Sequence, residues 1–326
     1  EASPEHGAQI AQELINREKI VAGLGIVNTG VALASQRFYQ QAHLPMITSV
    51  ATGSIITKQF LPPQYPDNYI FRVSAPDTLQ AAMIVDETVV RRRLRKLAIF
   101  HDSTNYGQLG REDLERALDR HGIKPVAVER FNIRDVDMTP QLIRARNAGA
   151  EAVLTYGLGP ELAHVANGMV RIGWQVPLVG SWALNMPNFI DNAGPNAEGT
   201  RMPQTFIQEG DTPRHRAFID KYRKTFGVER IPVAPAAAQG YDSMLLLAAA
   251  GAGYAVATVT CPLGDISAEQ ARALARLGRK YSGDALRATV DQNFALRWVP
   301  EGDVVLRGTL QLTQAVLPAM RAQKGR

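Results

Sequence analysis

The sequence predicts an α/β protein of two doubly wound parallel-sheet units, and three observations carry that reading. Short apolar runs alternate with helically spaced segments from residue 6 to residue 182, the pattern of parallel strands covered on both faces by helices. The alternation pauses at PDNYIFRVSAPD, residues 66–77, an extended segment ended by Pro76, and then begins afresh. A second extended segment, TRMPQTFIQE at 200–209, has the same character, so the chain crosses between units a second time there.

Each element follows from its local pattern. Residues 6–17 have helical spacing, KIVAGLG (19–25) reads as a strand, and VALASQRFYQQA (31–42) as a helix. LPMITSV is a strand interrupted early by Pro45. After the first crossing come a helix over 79–92, the strand LAIFHD (97–102) and a helix over 107–122 that ends at Gly122. PVAVERF is a strand, and Thr139 is expected to cap the helix that follows it. AEAVLTYG, GPELAHVANGMVRIG and VPLVGSW complete the series as strand, helix and strand. Helices are expected at 213–226, 235–250 and 267–280, whereas GAGYAVATVTC at 251–261 carries no pattern of its own.

Composition narrows the chemistry. The chain has 326 residues, 45% of them hydrophobic and 21% charged, which is a globular balance with room for two domains. Its formal charge of +5 would suit nucleic acid, but the basic residues are scattered. The densest cluster, Arg91 to Lys96, reads as a solvated helix end with cations near its C-terminus. The single cysteine, Cys261, excludes an intrachain disulfide and a cysteine-built metal site. No apolar run reaches the ~18 residues of a membrane span.

The stretch GLGIVNTGVALA (23–34) places glycines and a polar pair between a strand and a helix start, where unpaired N–H groups favour an anion. A dinucleotide phosphate does not fit, since Asn28 stands where G-x-G-x-x-G needs its third glycine and no acidic residue follows about 20 positions on. A Walker loop and a G-x-S-x-G elbow are both absent. None of the six histidines pairs with a second ligand at helical metal spacing, so neither a metal nor a cofactor is expected. His101 and Asp102 end a strand and are expected in a turn.

What remains is a set of small hydroxyl-bearing, apolar and aromatic residues at strand ends, where open α/β sheets bind ligands. Asn28 and Thr29 come first, although Thr29 alone reads as a helix cap. Val50, Ala51 and Thr52 follow the next strand, and Tyr106, Leu158 and Trp182 come from the second unit. Hydrogen-bond donors from one unit and apolar or aromatic faces from the other suit a small carboxylate with an apolar body.

The ordered series GIVNTGVALA, LPMITSVATGSIIT, HDSTNYGQLGREDLERAL, HGIKPVAVERF, GAEAVLTYGLGPELAHVANGMVRIGW, VPLVGSW and AAQGYDSMLLLAAA resembles the periplasmic Leu/Ile/Val-type binding proteins of ABC importers, a type I periplasmic-binding-protein fold. The resemblance implies a non-enzymatic, periplasmic, monomeric receptor whose partners are a small carboxylate ligand and membrane permease subunits, with no nucleic acid. It implies a first lobe of residues 1–74 plus about 207–290 and a second of 75–206 plus about 291–326, joined by crossing hinge strands. It also implies that the first lobe lacks its usual N-terminal strand and helix. By position, Thr29 would meet the ligand carboxylate, the Val50 carbonyl and Thr52 hydroxyl would take the places that receive an α-ammonium, and Tyr106, Leu158 and Trp182 would face them.

One departure bears on the ligand. Trp182 stands where the amino-acid binders carry an acidic residue for the ammonium. A buried ammonium without a carboxylate is poorly compensated, whereas an indole offers an apolar face and one N–H. An aromatic or branched aliphatic acid is therefore expected over an α-amino acid, unless Glu161 or Asp242 supplies the charge. Asp242 itself is expected at a helix start. A ligand-sensing regulator of the same fold is the alternative function, with a Rossmann-type enzyme less consistent because of Asn28.

Overall fold

The computed structural model describes residues 3–18, 20–209, 212–251, 254–259, 287–288 and 294–300. It divides into two compact units, Glu1–Ser243 and Met244–Arg326. The first unit opens with helix α1 (Pro4–Asn16), strand β1 (Gly23–Gly25), helix α2 (Thr29–Gln41) and strands β2 (Met46–Thr48) and β3 (Ile70–Arg72). Ser3 caps α1 by accepting the His6 N–H, and Pro4 supplies the preset first helical φ. The three strands form one parallel sheet in the order β1-β2-β3. Tyr39, Met46, Phe60 and Ile70 bury one of its faces together with Ala11.

Helix α3 (Asp77–Val85) follows the first crossing, and its path continues as one π-helical segment, Asp86–Arg91. Then come β4 (Leu97–Asp102), α4 (Asn105–Asp119), β5 (Ala127–Phe131), α5 (Thr139–Asn147), β6 (Ala152–Tyr156), α6 (Gly159–Arg171) and β7 (Leu178–Gly180). The four strands make a parallel sheet in the order β5-β4-β6-β7. The period-2 pattern of β4 assigns its two faces. Ala98 and Phe100 pack with Phe131, Leu162 and Phe189, whereas Leu97 and Ile99 pack with Ile84, Leu114 and Tyr156. At Gly110 of α4 any Cβ would run into the Tyr156 ring, so this helix lies closer to the sheet than an alanine would allow. Helices α7 (Pro187–Ala193), α8 (Pro213–Phe226) and α9 (Ala234–Gly251) follow.

The second unit contains strands β8 (Tyr254–Val259), β9 (Arg287–Ala288) and β10 (Phe294–Pro300), paired antiparallel in the order β8-β10-β9.

Several sequence expectations need correction. The segment 79–92 is not one regular helix, because its last turn widens to i→i+5 bonding, with Arg92 N–H reaching Glu87 O. Met138, not Thr139, precedes α5 as its cap residue; Thr139 is already helical, and its hydroxyl donates to Asp137 Oδ1. The second crossing holds only one isolated bridge, Arg201 to Val179. The patternless stretch after Gly251 contains β8. His101 and Asp102 are the last residues of β4 rather than a turn, although Asp102 Oδ1 does accept the Thr104 N–H and hydroxyl of the turn beyond. Asp242 lies within α9 and is exposed, not at its start. The helix expected at 267–280 lies outside the described residues.

Candidate functional site

Two loops at the ends of β1 and β2 are fixed against each other by their backbones. Ile26 holds a left-handed φ of 63°, costly for a β-branched residue, and its carbonyl accepts the N–H groups of both Val50 and Ala51. Asn28 caps α2, its Oδ1 accepting the N–H of Gly30 at 2.9 Å and of Val31 at 3.3 Å. The Thr29 hydroxyl, buried, accepts the Gly53 N–H at 3.3 Å. A Cβ on Gly53 would overlap the Thr29 methyl, so the contact requires glycine at 53. Arg72 ties the far side of this loop by donating to the carbonyls of Thr52 and Gly53.

The loop then meets α3. The Asp77 N–H donates to Thr52 O at 2.9 Å, and Ser74 Oγ donates to Ala51 O at 2.7 Å. One turn along, Gln80 Nε2 donates to Asp77 Oδ1 at 2.9 Å while its Oε1 accepts the Trp182 N–H at 3.0 Å. Trp182 opens a single 3-10 turn, Trp182–Asn185, after β7. The residue before it, Ser181, accepts the Tyr106 hydroxyl at 2.7 Å. Tyr106 meets Tyr156 edge to face at 5.4 Å. Leu158 packs against the same cluster from the start of α6.

These elements enclose a narrow cleft of about 80 Å³. Its walls come from Thr52, from Ala75, Leu79, Gln80 and Met83 around the start of α3, from Trp182, from Pro203, Gln204 and Thr205 of the second crossing, and from Pro235 and Gln239 of α9. No lining side chain carries a charge. Two buried polar atoms in this wall, Trp182 Nε1 and Gln204 Nε2, lack a hydrogen-bond partner, and the buried Thr52 hydroxyl faces the Asp77 carboxyl. The indole and amide nitrogens can only donate, and a hydroxyl can donate.

Thus Thr52 and Trp182 share the cleft, and Tyr106 stands behind it through Ser181. Asn28, Thr29, Val50, Ala51 and Leu158 do not line it. Glu161 is occupied elsewhere, accepting the Arg134 N–H at 2.7 Å, and neither it nor Asp242 lines the cleft. Sequence reasoning missed Asp77, Gln80 and Gln204. The signal for the first two was present, because an acid just after Pro76 with glutamine three residues on places both on one helix face.

Burial pushes the Asp77 carboxyl up to about 7; Asp113 adds to this, and Thr52, Arg72 and Tyr156 oppose it. Burial likewise raises the Tyr106 and Tyr156 hydroxyls well above their usual range. Among the described residues no three His, Cys, Asp or Glu side chains form a group that could hold a metal. No described helix is long and apolar enough to cross a membrane.

The first unit thus sets two parallel α/β sheets beside a cleft with no charged lining residue. Residues 1–289 match the periplasmic binding protein family, and the chain belongs to it. Its fold is that of type I periplasmic binding proteins. It is similar to the Leu/Ile/Val-binding protein homolog 3 of Brucella melitensis, with 26% identity over 197 residues, 60% of this chain and 52% of that one. The chain spans about half the length of the curated relatives it matches. Among solved structures it resembles the leucine binding protein of Thermotoga maritima, with a TM-score of 0.68 and 22% identity over 77% of this chain and 69% of that one. It also resembles an R. palustris ABC-transporter solute binding protein solved in complex with benzoate, with a TM-score of 0.67 and 20% identity over 77% and 67%.

Proposed function

We propose that the chain is an extracytoplasmic solute receptor of an ABC importer that clasps a small carboxylate with an apolar body and no α-amino group. The observation that carries this is the pair of unpartnered donors, Trp182 Nε1 and Gln204 Nε2, in a cleft without a charged lining residue. Buried donors left unpaired cost about 1–3 kcal/mol each, and a ligand oxygen that only accepts removes that cost. An α-ammonium has no lining carboxylate to meet. Leu79, Met83, Pro203 and Pro235 supply apolar surface for the remainder of the ligand.

On this reading residues up to 74 form one lobe and 75–206 the other, with the chain returning at about 207. The benzoate complex of the R. palustris protein supports an aromatic acid, and the leucine and Leu/Ile/Val relatives support a branched aliphatic body. At about 80 Å³ the cleft is narrower than either ligand requires, so admission needs the walls to part and binding holds them closed. The closed form is then the one offered to permease subunits, and the chain is not an enzyme. A thermal-shift series with benzoate, isovalerate and leucine tests the ligand class. The two acids are expected to raise Tm, and a rise with leucine alone would overturn the reading.

A further inference from the structure

We propose that Asp77 sets the charge class of ligand that the cleft accepts, taking up a proton when a plain carboxylate binds. This rests on the carboxylate reading above.

The carboxyl stands directly behind the cleft wall. Asp77 is wholly buried, its Oδ1 accepts from Gln80, and the Thr52 hydroxyl is the donor that faces the rest of the carboxyl. Its backbone N–H holds Thr52, and Gln80 and Thr52 both line the cleft. The groups facing it come from four elements. Asp113 and Tyr106 approach from α4, Tyr156 from β6, Arg72 from β3, and the Thr52 hydroxyl from the loop after β2. Asp113 is itself engaged by Ser54 at 3.0 Å and Arg116 at 2.6 Å, and Arg72 by the Thr52 and Gly53 carbonyls. The Tyr156 hydroxyl donates to the Asp77 carbonyl at 3.3 Å.

A ligand carboxylate held by neutral donors brings a second negative charge into this water-poor region. Two like charges that share such a region cannot both stay ionised cheaply, so one takes a proton. The ligand oxygen has Trp182 and Gln204 to accept from, and the single Thr52 proton can serve either the ligand or Asp77. Given to the ligand, it leaves Asp77 Oδ2 without a donor, so Asp77 is the group that neutralises. The step is Asp77–COO⁻ plus H⁺ from solvent giving Asp77–COOH, with the ligand keeping its charge. Burial already places this carboxyl near neutrality, where a modest added field is enough. A zwitterionic amino acid has the opposite requirement, because its ammonium favours an ionised Asp77 behind Thr52.

The test is calorimetry of benzoate binding to the full chain in phosphate and in Tris, whose ionisation heats differ, from about pH 6 to about pH 8.5. The expected result is buffer-dependent heat showing uptake that approaches one proton per ligand at about pH 8, with affinity falling roughly tenfold per pH unit above pH 7. Asp77→Asn should bind benzoate with buffer-independent heat and a flat pH profile. Binding by the wild-type chain with equal heats in both buffers and no pH slope overturns the coupling while leaving the carboxylate reading intact. Proton release on benzoate binding overturns it too. Absence of benzoate and isovalerate binding at every pH overturns the carboxylate reading and the coupling with it. The wild-type measurements decide the matter even if Asp77→Asn fails to fold.

Discussion

Gln80 uses both ends of one amide to join Asp77, at the first turn of α3, to the backbone of Trp182, at the end of β7. The bond to Trp182 spans 102 residues of sequence. It fixes the turn that carries the indole, and so couples the chain crossing at residue 76 to the opposite wall of the cleft.

Gln80→Leu removes both bonds and leaves the Trp182 N–H and Asp77 Oδ1 without their partner. Each lost buried partner costs about 1–3 kcal/mol. Chemical denaturation should show a loss in that range, and benzoate affinity should fall together with stability. Gln80→Glu should lose less stability at about pH 5, where a protonated carboxyl at position 80 can keep both bonds, and more above about pH 7, where it repels the adjacent Asp77 carboxylate. Equal losses in the two variants would count against the bridge.

Trp182→Phe keeps an aromatic wall but deletes the indole N–H. A ligand oxygen bonded there loses about 1 kcal/mol, which is several-fold in Kd. Trp182→Glu places a negative charge in the cleft and should abolish benzoate binding while improving leucine binding. Unchanged benzoate titrations of both variants would remove Trp182 from the site.

Gly53→Ala forces a methyl into Thr29. Relief requires the loop from Val50 to Gly53 to shift, which breaks the bond from Gly53 N–H to the Thr29 hydroxyl. The expected cost is about 1–3 kcal/mol. The double variant with Thr29→Ser, which lacks the obstructing methyl, should recover much of it.

Asp77 predicts a pH dependence of stability with a definite sign. Its folded-state value is raised from 3.8 to about 7, so the folded chain holds this proton over a range in which the unfolded chain has released it. The resulting stabilisation is complete below about pH 4, falls by up to about 1.4 kcal/mol per pH unit, and is gone above about pH 7. Denaturation of the wild type and Asp77→Asn at intervals across this window should show the variant gaining relative to the wild type as pH rises. A constant difference would mean that Asp77 titrates at its ordinary value.

Much of the fold was legible because its elements are local. The six residues of LAIFHD form β4 as read, since a continuous apolar run bounded by polar turns has few alternatives. The cap of α2 is Asn28 instead of Thr29 because the extended backbone at Asn28 lets its Oδ1 accept from Gly30 and Val31, while Thr29 is already helical and its hydroxyl meets Gly53. The π-helical turn at Asp86–Arg91 has no sequence period of its own. The site was legible in part. Thr52 and Trp182 are at strand ends, where an α/β sheet puts its ligands, and they line one cleft. Gln204 was hidden because it sits in an irregular crossing whose position depends on tertiary packing. Asp77 was hidden because its character comes from burial by residues far away in sequence, Tyr106, Asp113 and Tyr156 among them.

The preference of the cleft for a carboxylate without an α-amino group can be measured directly. Isocaproate and leucine differ only by that group, so competitive calorimetry of the pair on the full chain at neutral pH isolates it. Isocaproate is expected to bind at least about tenfold more tightly, a difference of about 1.4 kcal/mol. Tighter binding of leucine would contradict it.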